Sequence, residues 1–270
     1  MDRKNSIRIV LGAWMLICVC ASARAQVFIA EGKVRRSVFP GENIAGKVTL
    51  HNTSDQEVSM RVYWEDFVYK PPFNGTKEFL RQGTTQHSLV SWVNVSSRAL
   101  TFPPFATKTV PYTINVPADM DKGHYGVLFF EKKNPEVSME KGLTVVSRVG
   151  CLFFVEPENK RKEAVLENFR FTEKQLMADF INQGNVILIP DGTYYIIDEE
   201  GMVFDRGQMA KVYVPPGKSA QYTMVFNADL SPGVYTLVMT IGLEEDDVLV
   251  KEIDFKKSYP SGFNIVEIRD

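Results

Sequence analysis

Few side chains in this sequence are of the types that do covalent or metal chemistry. There are three histidines, His51, His87 and His124, and three cysteines, Cys18, Cys20 and Cys151. No two histidines have metal-ligand spacing, and neither His-Glu-x-x-His nor Cys-x-x-Cys occurs, so no zinc site is expected. There is no Gly-x-Ser-x-Gly elbow to raise a serine nucleophile. Gly217-Lys218-Ser219 has the ending of a phosphate loop. The upstream glycine position holds Val212, however, and Pro215-Pro216 marks a turn. A calcium loop would interleave Gly or Asn with its acids, so Glu244-Glu245-Asp246-Asp247 reads as a water-screened hairpin tip. Cys151 lies in Gly150-Cys151-Leu152-Phe153-Phe154-Val155, an apolar context that suits a small buried residue better than a nucleophile or an intermolecular disulfide. Trp92 and Phe73 are either exposed anchors for a partner or glycan, or core residues of irregular strands. This inventory leads us to expect no enzyme and no cofactor, and points to binding.

The elements that would carry binding residues are strands. Val58, Met60, Val62 and Trp64 alternate with Ser59, Arg61 and Tyr63, the period of two of a strand with one buried face. Val110, Tyr112, Ile114 and Val116 alternate in the same way, as do Tyr125, Val127 and Phe129. Leu143 to Val155 reads as one long strand with a bulge or kink at Gly150. Lys70 to Ser88, with Pro71-Pro72 and Asn74-Gly75, interrupts the pattern as an inserted loop or hairpin. Tyr194 to Ile197 and Met202 to Phe204 flank Asp198-Glu199-Glu200-Gly201 as a hairpin. The only helical candidate is short, Lys160 to Glu167.

A repeat sets the domain count. Tyr112-Thr113-Ile114 through Gly123-His124-Tyr125 returns 110 residues later as Tyr222-Thr223-Met224 through Gly233-Val234-Tyr235. Tyr, Thr, Ala, Asp, Gly and Tyr coincide without a gap. That interval is about the size of one small domain and too long for a solenoid unit. Asp121-Lys122-Gly123-His124-Tyr125 fits the Asp-x-Gly-x-Tyr corner of immunoglobulin-like domains, where the chain turns between sheets and a tyrosine hydroxyl bonds back to nearby main chain. Ser231-Pro232-Gly233-Val234-Tyr235 repeats it. The expected fold is all-β: two tandem immunoglobulin-like β-sandwiches over residues 26–157 and 163–255, followed by a tail at 256–270. The cysteine of antibody domains is replaced by Val127 and Leu237, so neither sandwich has that disulfide.

Residues 1–25 read as a signal peptide. Arg3, Lys4 and Arg8 precede an apolar run from Ile9 to Ala21, and Ala23-Arg24-Ala25 provides the cleavage pattern. Without that segment, 27 basic and 32 acidic residues remain of 31 and 33, a net charge of −5. Interspersed charges of this kind give no electrostatic reason to expect nucleic acid. No second apolar segment has spanning length, so no transmembrane segment is expected after cleavage.

Two families share features with these residues. Phe39-Pro40-Gly41-Glu42, then Val48 to Asn52, then Val110 to Phe130 resemble the first domain of WxL-interacting cell-surface proteins of bacteria. That resemblance covers most of residues 35–155 and implies attachment to a surface partner or to peptidoglycan. Val48-Thr49-Leu50-His51-Asn52-Thr53-Ser54 and the Pro-rich entry Leu100 to Phe105 are similar to periplasmic pilus chaperones. That family implies a basic pair gripping a subunit's terminal carboxylate, and the nearest positions here are Arg35 or Arg36 with Arg148, of which Arg36 and Arg148 are taken as the pair. The family's Arg-Glu is replaced here by Asp121-Lys122-Gly123. The leading expectation is an exported, non-enzymatic envelope protein, periplasmic or at the cell surface, binding another protein or a wall polymer through strand edges or loops. Leu143 to Val155 is the best edge candidate, and the tail strand Phe263 to Ile268 either offers another or caps an edge in its own molecule. The alternative is a pilus-type chaperone for secreted subunits.

Overall fold

The computed structural model describes residues 27–133, 136–138, 143–172, 174–227, 229–244, 247–259 and 262–270, so the expected signal peptide at 1–25 lies outside the described residues. The first half of the chain contributes β1 (Val27–Ile29), β2 (Lys33–Val38), β3 (Asn43–Asn52), β4 (Val58–Tyr69), β5 (Lys77–Arg81), β6 (Val93–Val95), β7 (Ala99–Phe102) and β8 (Thr107–Asn115). It continues with β9 (His124–Lys132), β10 (Glu136–Ser138), β11 (Leu143–Val145) and β12 (Arg148–Pro157). The second half contributes β13 (Ala164–Phe171), β14 (Gln175–Asn182), β15 (Asp191–Asp198) and β16 (Val203–Gln208). It ends with β17 (Ser219–Val225), β18 (Gly233–Gly242), β19 (Val248–Ser258) and β20 (Gly262–Arg269).

Alternation of apolar residues makes each of these strands one wall of a core. In the first sandwich, the sheet β1-β3-β8-β6 faces the sheet β2-β12-β9-β4-β5, with β7 also paired to β4. Val48 and Leu50 of β3 and Val110, Tyr112 and Ile114 of β8 meet Val62 and Trp64 of β4 and Leu128 and Phe130 of β9. In the second, β13-β14-β17 faces β16-β15-β18-β19-β20. Leu176, Ala178 and Phe180 there pack against Tyr194, Ile196, Leu237, Met239 and Phe255. The chain is thus two tandem immunoglobulin-like β-sandwiches. No helix among the described residues is long and apolar enough to cross a membrane.

The sequence and the structure part company at three places. Lys160 to Glu167 is not helical: residues 164–167 are strand and pair with β14. The break in the long final strand falls at Val146-Ser147, and β12 pairs with β9 straight through Gly150, so there is no bulge there. Glycine is required at 150 by space, because a Cβ would lie 2.8 Å from the Phe129 ring. Residues 256–270 are not a free tail. β19 runs on to Ser258, and β20 pairs with it as the outer strand of the sheet, so Phe263 to Ile268 does cap an edge of its own molecule.

The sandwiches are joined by packed contacts. The apolar cluster of the second sandwich continues onto Phe67, Tyr69, Tyr125, Val127, Phe129 and Phe154, the outer face of the first sandwich's larger sheet. The inserted segment after Lys70 contributes Phe73, which is 8% exposed, and the Tyr213 amide donates to its carbonyl at 2.7 Å. Phe73 is therefore an anchor within the molecule rather than for a partner.

Candidate functional site

β1 pairs with β3 in one sheet. After the crossing at Ala30–Gly32, β2 joins the other sheet and runs parallel to β12. The pairing begins at Leu152↔Lys33, with the Leu152 amide donating to the Gly32 carbonyl at 3.1 Å. Arg148 to Cys151 pair with β9 on one side and have no strand partner on the other among the described residues. The edge proposed over Leu143 to Val155 is thus partly closed. Val34 and its neighbours cover it from Leu152 onward, and only its first part is open. The Leu152 amide points to the β2 side, so by alternation the main-chain groups of Gly150 and Arg148 point outward there as well.

Directly paired residues share a face of the sheet, and neighbours along a strand alternate. Val34 and Val38 are buried in the sandwich core, which puts Arg36 on their side and Arg35 on the opposite one. Arg36 is exposed and reaches the Tyr112 hydroxyl. Arg148 lies on the other face. Its guanidinium stands 3.9 Å from the Phe129 ring centroid and donates to the Tyr63 hydroxyl at 3.2 Å and to Glu65 at 3.1 Å. Arg36 pairs with Val155, seven positions along β12 from Arg148. The structure therefore separates Arg36 and Arg148 by face and by length, and one carboxylate does not reach both.

Arg35 is the basic residue that the fold turns into the space between the sandwiches. Its guanidinium packs 5.3 Å from the Phe154 ring centroid. Nη1 donates to Glu244 of the second sandwich at 2.6 Å, and Nε lies 3.8 Å from Glu156 of β12. Glu156 is 1% exposed. Burial raises its pKa, and the attraction of Arg35 offsets that only in part. Burial also opposes the charge on Arg35, but Glu156 and Glu244 more than compensate and hold it above the ordinary arginine value. The alternation Val34/Val38 was the sequence signal for Arg35 over Arg36. Nothing in the sequence pointed to Glu244 as its partner. Glu244 has φ 71°, a left-handed conformation that costs a non-glycine residue about 1 kcal/mol or more. Glu244 is therefore an ion-pair partner rather than part of a freely solvated tip, while residues 245–246 of that run lie outside the described residues.

Beside this ion pair is an open cavity of about 580 Å³ lined by Lys33, Asp191, Lys211, Tyr213, Glu244 and Asp247. It carries both signs of charge and suits a polar, zwitterionic segment rather than an apolar one. Cys151 is fully buried, and burial pushes its thiol up to about 12, so it is no nucleophile at neutral pH. Among the described residues, no group of three or more His, Cys, Asp or Glu could hold a metal ion.

No family model matches this sequence, and no curated protein does. Solved structures do match. The class 5 fimbriae chaperone CfaA is similar with a TM-score of 0.52 and 15% identity, over 83% of this chain and 97% of that one. A chain of the chaperone–tip adhesin complex of CFA/I fimbriae biogenesis is similar with a TM-score of 0.51 and 14% identity, over 84% of this chain and 97% of that one. Likeness at this identity shows a shared fold that spans both sandwiches. Of the two family resemblances in the sequence, the pilus chaperones have structural counterparts. The WxL-interacting proteins find no support in these matches.

Proposed function

We propose that this protein is an exported, non-enzymatic chaperone of the pilus type, holding a secreted protein subunit in the periplasm. The observation that carries the reading is the open first part of β12, held beside a charged space between two sandwiches whose fold matches fimbrial chaperones. An unpaired strand edge offers main-chain donors and acceptors to any extended segment, and its affinity comes from that pairing. Lys33, paired with Leu152 where the open stretch ends, lines that charged space, and Arg35 lies two positions further along β2. In the broader envelope reading, docking of a protein at other strand edges draws no comparable support, since β20 covers the edge of β19.

Two variants at one position test this. Arg148→Pro removes an outward main-chain N–H, whereas Arg148→Ala removes only the side chain. Periplasmic extract passed over the full-length wild type should yield a secreted subunit that Arg148→Ala also captures and Arg148→Pro does not. Equal capture by both variants would mean that β12 is not the docking strand. Failure of the wild type to capture any exported subunit would overturn the chaperone reading.

A further inference from the structure

We propose that a groove on the first sandwich, between β4, β6 and the loop after β5, binds a neutral oligosaccharide carrying N-acetyl groups. Two adjoining cavities form it, of about 370 and 630 Å³, with Gln82 and Val90 as their common wall. β7 pairs with β4 through residues 58–61 and β5 through residues 65–69, so at Trp64 β4 has a strand partner on its β9 side only. The smaller cavity opens at this gap.

The lining selects the ligand class. The larger cavity is walled by the side chains of Gln82, Thr85, Gln86, Ser91, Trp92 and His124, with no charged residue. Amides and hydroxyls beside a half-buried indole match the alternating hydroxyl and C–H faces of a sugar ring. His124 is kept neutral near pH 7, because burial lowers its pKa. The smaller cavity is different: Val62, Val90, Val93 and Val95 give it apolar walls, and Arg98 is its one charged lining residue. Trp64 lines it too. That residue is 7% exposed, and its indole Nε1 is buried with no hydrogen-bond partner. A buried donor left unmade costs about 1–3 kcal/mol and is relieved by an incoming acceptor. An acetamido group supplies a methyl for the valines, and a carbonyl oxygen that the indole N–H, closed off in the empty groove, meets once the ring turns toward the cavity. A plain hydroxyl supplies only the acceptor.

The wall is rigid before any ligand arrives. Asp66, fully buried, accepts from the Thr85 amide at 2.8 Å and from the Ser88 hydroxyl at 2.7 Å. The Leu89 amide donates to Tyr125 at 3.1 Å. A preformed loop avoids the ordering cost that weakens binding by mobile segments. None of the groove residues belongs to the β2–β12 edge, so this inference does not depend on the chaperone reading.

The test is a titration of the full chain, with its tryptophans labelled at the indole nitrogen, against an N-acetylglucosamine trimer and a glucose trimer. The N-acetylated trimer should move the Trp64 and Trp92 indole signals, and the glucose trimer should bind at least about tenfold more weakly. Trp92→Ala and Gln86→Ala should weaken the N-acetylated trimer by a similar factor, while Lys47→Gln, exposed on β3 outside the groove, should leave it unchanged. Trp64→Phe keeps the ring but removes the donor, and should abolish the preference between trimers. Circular dichroism confirms that each variant is folded. No indole shift with either trimer at millimolar concentration, equal affinity for both, or full binding by folded Trp92→Ala would each overturn the proposal.

Discussion

The two tyrosine corners look alike in sequence and have different jobs. Tyr235 behaves as an immunoglobulin-like corner should: its ring lies in the second sandwich's core, and its hydroxyl donates to the Ser231 carbonyl at 3.0 Å, four residues back. Tyr125 faces the other way. Leu128 and Phe130 fill the first core, so Tyr125, Val127 and Phe129 project from the outer face toward the second sandwich. The Tyr125 hydroxyl accepts from the Ile187 amide of that sandwich at 2.9 Å. The corner glycine is recruited as well, since the Gly123 amide donates to the Asn185 carbonyl at 2.9 Å, and Asn185 returns a bond to Asp121 at 2.8 Å. One corner staples its own turn, and the other staples two domains. A one-residue change of phase along a strand moves every side chain to the opposite face, so matched letters need not mean matched surroundings.

A less visible pair does match in its surroundings. Asn52 ends β3, accepts from the Ser54 amide at 3.0 Å and donates to the Gln56 carbonyl at 2.7 Å and the Pro103 carbonyl at 2.9 Å. Asn182 ends β14, accepts from the Gly184 amide and donates to the Val186 and Val214 carbonyls, each at 2.8 Å. Their own amides go to Ala106 at 2.9 Å and Lys218 at 3.0 Å. Both side chains close a turn two and four residues on and pin a second loop to it.

The sharpest tests separate the junction from the interiors. Arg35→Met should destabilise the protein by about 3 kcal/mol or more, because it strands the buried Glu156 and cuts the bond to Glu244, whereas Glu156→Gln should cost under about 1 kcal/mol. Denaturant unfolding measures both, and equal losses would mean that the pair contributes symmetrically. Next come the asparagines: Asn52→Ala and Asn182→Ala should each lose about 2–3 kcal/mol, through several buried groups left without partners. A large gap between the two would undo their equivalence. Tyr125→Phe should cost about 1–3 kcal/mol, since it orphans a buried amide, and Tyr235→Phe about 1 kcal/mol, since its acceptor keeps partial access to water. Reversal of that order would break the contrast between the corners.

The smallest effect is with pH. Burial lowers the pKa values of His87 and His124 below the ordinary 6.5. The unfolded chain therefore binds protons before the folded one does, and their contribution is full above about pH 6.5 and is lost as pH falls toward their folded values. Glu156, raised by burial, acts in the opposite sense. In a Glu156→Gln background the melting temperature should fall modestly from pH 7.5 to 5.5, and His87→Gln with His124→Gln should flatten that slope.

Most strands were legible because period-two alternation reports a half-buried surface directly, as Val58 to Trp64 and Tyr222 to Phe226 do. The helix expected at Lys160 to Glu167 failed because eight residues, five of them charged, carry little pattern, and pairing with β14 made 164–167 a strand. The site was legible in part. Arg148 lies on the open stretch of β12, but the pairing of Arg36 with it required both residues to face one way, and the crossing from β1 to β2 puts Arg35 in the cleft instead.

From its order of residues alone this chain determined a two-sandwich, all-β architecture, because alternation and turn residues act over a few neighbours. Which face each strand shows the other sandwich, which part of β12 stays open, and where Glu244 finds its cation were decided only in three dimensions. Those outcomes depend on strand phase and on contacts between residues as far apart as Arg35 and Glu244, separations at which no local pattern carries information.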